Sequence, residues 1–259
     1  MLTICLSQLS AGDEKKTDVF KESFIEAFDK NGDGLIDKDE TPNRDQLKNF
    51  LINSKHKSVV PENIRWASLG VSELKDFAEE GSRDAQFYLG RKFHWGRGVS
   101  ENKKEAYKWF LKAANQGHPE AQYQVGVFNK VGWGVLEDDL EAQKWYRKAA
   151  EQGHPGGQYE VGKNAKGIEE SLKWWHKAAE QGHGDSQATI GFYHYTTFSK
   201  NRNWVLSYAW YSIAAQNGNS DGKKYKEFLR NRKLDDADVQ AGQSLVKEMV
   251  KKNPKLLND

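Results

Sequence analysis

Cysteine is almost missing: Cys5 is the only one in 259 residues. No intrachain disulfide can form, and a cysteine zinc site is excluded. No apolar run approaches the roughly 18 residues that a membrane-spanning helix needs, so no membrane span is expected. Neither charge dominates, because 39 Lys and Arg meet 37 Asp and Glu, interspersed along the chain. No basic block tracks phosphates, so nucleic acid is not an expected partner. Also missing are GxSxG, HExxH and a phosphate-cradling glycine loop, and with them any motif for an enzyme. What is plentiful is tryptophan, nine residues, and glycine, 23 residues.

The first residues, MLTICLSQLSA, are weakly apolar and end in small side chains. They resemble the tail of a secretory signal, though a basic start is missing. Residues 1–16 are therefore read as a signal remnant or a disordered tail, with a periplasmic or secreted location preferred slightly over the cytoplasm.

Internal repetition organises most of the rest. AQFYLGRKFHWGRGVSENKKEAYKWFLKAANQGHP, residues 85–119, returns as AQYQVGVFNKVGWGVLEDDLEAQKWYRKAAEQGHP at 121–155. A shorter third copy spans 156–184 and a fourth spans 186–220, while a half copy, ELKDFAEEGSRD, precedes them at 73–84. Each unit reads as helix, glycine-rich turn, helix, glycine stop. Gly81, Gly117, Gly153, Gly182 and Gly218 supply the left-handed residue that ends a helix. Trp109, Ala113 and Ala114 recur as Trp145, Ala149 and Ala150, and so on through the copies, on one helical face. Leu89–Gly90 recurs as Val125–Gly126, Val161–Gly162 and Ile190–Gly191. A mid-helix glycine costs about 1 kcal/mol against alanine, so its recurrence predicts crowding against the partner helix. Residues 221–231 and 235–251 read as closing helices. Ala237, Ala241, Leu245 and Met249 form the apolar stripe of a cap.

The motif AQ-x-x-LG, then G-x-GV, then A-x-x-W-x-x-KAA-x-QG resembles the Sel-one-like repeat family, relatives of the tetratricopeptide repeats. The likeness covers residues 66–251. It implies an all-α fold, a right-handed α-solenoid of helix-turn-helix repeats, whose faces bind a protein partner. The third copy departs from the motif by lacking G-x-GV, and Asn129 stands where an aromatic is usual.

Ahead of the repeats, residues 17–55 carry DKNGDGLIDKDE, residues 29–40. Calcium takes six to eight oxygens at loose distances, and a twelve-residue EF-hand loop supplies them. Asp29, Asn31 and Asp33 fill positions one, three and five. Leu35 offers its carbonyl at seven, Asp37 sits at nine and Glu40 gives both carboxylate oxygens at twelve. Gly34 makes the sharp turn and Ile36 anchors the loop. Phe20, Phe24 and Phe28 line an entering helix, and Leu47, Phe50 and Leu51 an exiting one. The loop resembles bacterial EF-hands, which often carry a proline where Pro42 stands. The implied cofactor is Ca2+. There is no second hand, so Ile36 must pack on the first repeat or meet a second copy in a homodimer.

Two further groups draw the eye. His118, His154 and His183 follow the repeat glycines. Stacked helices lie about 8–10 Å apart, so these histidines cannot share one ion, and they read as turn residues. Trp95, Trp133 and Trp204 lie in or near the inter-helix loops and are candidates for partner binding, by anchoring a peptide or stacking on a sugar, against local packing. The sequence thus points to a non-enzymatic, calcium-binding scaffold or adaptor. The alternatives are a secreted cell-wall or glycan binder, and an enzyme acting on cell wall or β-lactams.

Overall fold

The structure, a computed structural model, describes residues 66–196 and 203–258, together with 25–26, 29–30 and 46. Among these, eleven α-helices and no strand are found: α1 Val71–Glu79, α2 Arg83–Trp95, α3 Lys103–Asn115, α4 Pro119–Val131, α5 Asp139–Glu151, α6 Pro155–Lys163, α7 Ile168–Ala179, α8 Gly184–Thr196, α9 Trp204–Gln216, α10 Ser220–Arg232 and α11 Asp236–Lys252. The chain divides into two compact units, Met1–His118 and Pro119–Asp259. The described helices of the first are α1–α3. The second holds α4–α11, in which successive helical hairpins stack in solenoid fashion.

Local chemistry sets the ends of each helix. Asn102, Asp138 and Asn203 cap the second helices of three repeats, their side-chain oxygens accepting from Glu105, Glu141 and Leu206 N–H at 3.0, 2.9 and 2.8 Å. Each cap satisfies one of the donors that a helix start leaves without a partner. At the other end Gly117 and Gly153 adopt φ of +82° and +90°. The next residue then folds back, His118 N–H to Ala113 C=O at 3.1 Å and His154 N–H to Ala149 C=O at 3.0 Å. That pairing closes the helix as a Schellman turn.

The predicted crowding is present in every repeat. A Cβ on Gly90 would lie 2.7 Å from the Phe110 ring, one on Gly126 2.6 Å from Tyr146, one on Gly162 2.5 Å from Trp175 and one on Gly191 3.1 Å from Tyr211. The glycine therefore seats the aromatic of its partner helix flat against bare backbone. Around this contact lie Ala106, Ala113 and Ala114 in the first unit and Ala142, Ala149 and Ala150 in the second, all buried.

A second device repeats with the first. Gln116 Nε2 donates to Gln86 Oε1 at 2.8 Å, Gln152 to Gln122 at 2.7 Å, Gln181 to Gln158 at 2.9 Å, and Asn217 to Gln187 at 2.8 Å. The buried glutamine then donates to the end of the preceding helix, Gln86 to Ala78 C=O and Gln187 to Ala179 C=O, both at 3.0 Å. Within each unit these clasps tie a first helix to the end of the helix before it, at Gln86, Gln158 and Gln187. The sequence reading took AQ and QG only as signature letters.

The shortened third copy keeps both helices and loses length in the first, α6 having nine residues where α4 has thirteen. Asn129, standing in for an aromatic, is buried and satisfies itself by donating to Val125 C=O at 2.8 Å. The closing helix differs from the expected stripe. Ala237 and Ala241 are exposed, and the face turned inward carries Val239, Gly242, Val246 and Met249. Spacings of three and four hold one face, whereas repeated fours drift round it. Gly242 is required because its Cβ would stand 2.6 Å from the Tyr208 ring. The 253–258 segment joins this packing: Leu256 C=O accepts from Gln187 and Asn217 at 2.8 and 2.7 Å.

Two outcomes test this packing. Gly126→Ala should lower stability by about 1–3 kcal/mol, the usual cost of overpacking, despite better helix propensity; a urea midpoint at or above the parent would show that the ring yields freely. Gln187→Leu should cost roughly 1–3 kcal/mol for each buried partner left dry and should speed proteolysis within 253–258. Unchanged cleavage there would mean that the clasp does not hold the tail.

Candidate functional site

Of the six loop residues, Asp29 is described, and Asn31, Asp33, Leu35, Asp37 and Glu40 lie outside the described residues. Ile25 and Glu26 are helical, and Asp29 N–H donates to Ile25 C=O at 2.7 Å. This bond spans four positions, the spacing of an α-helical hydrogen bond. The donor set of the loop is oxygen throughout, the chemistry that suits a hard cation. Among the described residues, no group of three or more His, Cys, Asp or Glu could hold a metal.

The three tryptophans separate. Trp95 closes α2 and is 57% exposed, with Lys103 Nζ 5.9 Å from its ring centre. Trp133 lies between two left-handed glycines, 37% exposed, and meets Phe128 edge-on at 5.6 Å. Trp204 opens α9, is partly buried against the cluster of Tyr208 and Leu229, and has Lys233 Nζ 5.5 Å from its ring.

The histidines are turn residues, as expected, with a defined job. His154 Nδ1 accepts from Gly157 N–H at 3.1 Å, capping α6, while Nε2 meets Glu120 at 2.8 Å. His183 Nδ1 accepts from Ser186 N–H at 3.2 Å. In the fourth repeat Asn219 does the same, its Oδ1 accepting from Gly222 N–H at 2.8 Å and its Nδ2 donating to Asp185 at 2.7 Å. His118 stacks on Phe87 at 4.5 Å and lies 3.5 Å from Asp84.

Sequence reading missed a cleft in the second unit. Tyr159 of α6, Asp185 and Phe192 of α8, Tyr211 of α9, and Asp221 and Tyr225 of α10 line about 290 Å³. Phe192 is half exposed, whereas Tyr211 is 1% exposed. The only signal was the pairing of acid and aromatic on the first helix of successive repeats, and it becomes visible only when those helices are set side by side.

Comparison with known proteins fixes the repeats. The Sel1 repeat matches residues 83–118, 119–154, 156–183 and 202–219. Four segments of the chain thus match the Sel1 repeat, the last over part of its length. A Sel1 repeat protein from Oxalobacter formigenes is similar at 30% identity and a TM-score of 0.55, over 62% of this chain and 48% of that one. The present chain thus spans about half the length of that protein. An immunity protein from Pseudomonas aeruginosa is similar at 18% identity and a TM-score of 0.47, over 84% of this chain and 85% of that one. A protective antigen of uropathogenic Escherichia coli with this fold shares 20% identity at a TM-score of 0.39, over 72% and 57%. No curated protein matches.

Burial lowers the pKa of His183 below the ordinary 6.5. It does the same for His176, for His194 and, with the Lys103 cation, for His94. A folded pKa below the unfolded one favours the neutral ring, so this stability is full above pH 6.5 and is lost as pH falls through that value. Protonation of His183 also removes the acceptor that caps α8. Thermal melts should therefore fall as the solution is acidified below about 6.5, the free imidazole range. His183→Asn, which copies Asn219, should keep the cap and flatten the pH curve. A variant as acid-sensitive as the parent would remove His183 from the account.

Proposed function

We propose that the chain is a calcium-binding helical-repeat adaptor. Sel1 repeats generally mediate protein interaction, and here they form the scaffold that recognises a protein partner. The loop Asp29–Glu40 binds one Ca2+ through Asp29, Asn31, Asp33, Leu35, Asp37 and Glu40. The ion supplies charge neutralisation that lets these acidic oxygens gather, and so orders the N-terminal segment ahead of the repeats. The observation that carries the calcium reading is the complete ligand spacing of residues 29–40.

A lone hand lacks the partner loop against which sensor hands open, so the ion is structural or tunes partner affinity. Trp95 and Trp133, with exposed indole surface, are anchors for the partner, and Trp204 contributes at the edge of α9. Ile36, left over by the missing second hand, is covered by the first repeat or by a second copy of the chain.

Calcium titration into metal-free protein by calorimetry, beside Glu40→Gln, tests the reading. Saturable one-to-one binding that the variant loses is expected, with a dissociation constant between about 1 μM and 1 mM. No heat and no thermal stabilisation at millimolar calcium would remove the ion from the function. Sedimentation with and without calcium reports on the second copy.

A further inference from the structure

We propose that the cleft of the second unit takes an arginine side chain from an extended segment of the protein partner. The inference rests on the adaptor reading and is independent of calcium.

Four observations converge there. First, the cleft is small. At about 290 Å³ it lies at the lower edge of small-molecule pockets, and it suits one long side chain. Second, its polar rim is acidic. Asp185 accepts from the neutral Asn219 at 2.7 Å, and Asp221, exposed in the first turn of α10, has no cation paired to it among the described residues. Third, its walls are aromatic. Phe192 is half exposed with nothing described over it, and Tyr225 stacks on Tyr211 at 5.3 Å. Fourth, the floor holds an unanswered polar atom. The Tyr211 hydroxyl is buried and has no hydrogen-bond partner among the described residues. Burial raises its pKa, with Tyr225 and Asp221 adding to the shift, so it stays a neutral hydroxyl with lone pairs to offer.

A buried hydroxyl left dry costs about 1–3 kcal/mol, and such groups merit a reason. A guanidinium supplies it. Its flat face stacks on aromatic rings, its fork of N–H donors pairs with carboxylates, and a further N–H can reach a hydroxyl oxygen. An ammonium has no plane to stack and fewer donors in fixed directions. The chain already shows that these rings accept cations. Lys163 Nζ lies 5.3 Å from the Tyr159 ring and Lys224 Nζ 5.2 Å from Tyr225. Lys163 is tied to Glu160 at 3.1 Å, so it does not neutralise the aspartates. Lys224 is exposed and free to swing aside.

A random peptide library displayed on phage and panned on the full chain tests the assignment, with Asp221→Asn and Phe192→Ala as comparison proteins. Both positions are exposed, and unchanged melting will show that the variants fold. The expected winners carry arginine, bind the parent at least fivefold more tightly than either variant, and lose binding when that arginine becomes citrulline. Winners with no basic residue, or winners that bind Asp221→Asn as well as the parent, overturn the cleft assignment and leave the adaptor reading in place. A library that yields no winner overturns both.

Discussion

Every hairpin depends on one steric condition, an aromatic ring lying on the bare backbone of a glycine in the facing helix. Phe110 on Gly90, Tyr146 on Gly126, Trp175 on Gly162 and Tyr211 on Gly191 are the same contact with different rings. The contact brings the two helices close enough for the alanines around it to interlock at interior density. It explains why the chain tolerates a poor helix former in the middle of its first helices. The propensity cost of about 1 kcal/mol is exceeded by the apolar surface that the ring buries, about 1.5–3 kcal/mol for a large side chain.

Hydrophobic contact does not by itself fix how one hairpin meets the next, because apolar packing is not directional. Direction comes from the glutamine clasps. A buried amide must find both donors and acceptors in place, so Gln187 can be satisfied only where Ala179, Asn217 and Leu256 present theirs. The clasp of the fourth repeat also uses the 253–258 segment, whose Leu256 C=O accepts from both Gln187 and Asn217. Leu256 is buried there, packed with Ala179, Ile190, Trp210 and Ile213.

Much of this was legible in the sequence, and the misses share a cause. Repeat period, helix stops, the crowded glycines and the turn role of the histidines all follow from residues close together along the chain. The stripe on α11 was misplaced because a register of fours and a register of three and four fit the same residues, and only Tyr208 across the interface chooses between them. The clasps were read as a motif without a mechanism, since Gln86 and Gln116 meet across thirty positions. The cleft escaped for the same reason: Tyr159, Phe192 and Tyr225 come from three helices, and none is unusual alone. Trp204 read like Trp95 in sequence and differs in space, being partly buried on the Tyr208 cluster.

The charge balance bears on how such a scaffold chooses partners. With a net charge of +2, and with many of its ions spent in neighbouring pairs such as Lys108–Glu105 and Lys144–Glu141, the molecule projects little field beyond a Debye length of about 8–10 Å. Long-range steering therefore contributes little to encounter. Selectivity has to come from contacts made at touching distance, which act mainly on how slowly a partner leaves. In that regime a small acidic and aromatic cleft or a half-exposed indole carries more weight than its area implies. A calcium ion at the N-terminal loop would act locally too, by fixing which surface is presented and not by changing what the chain attracts from afar.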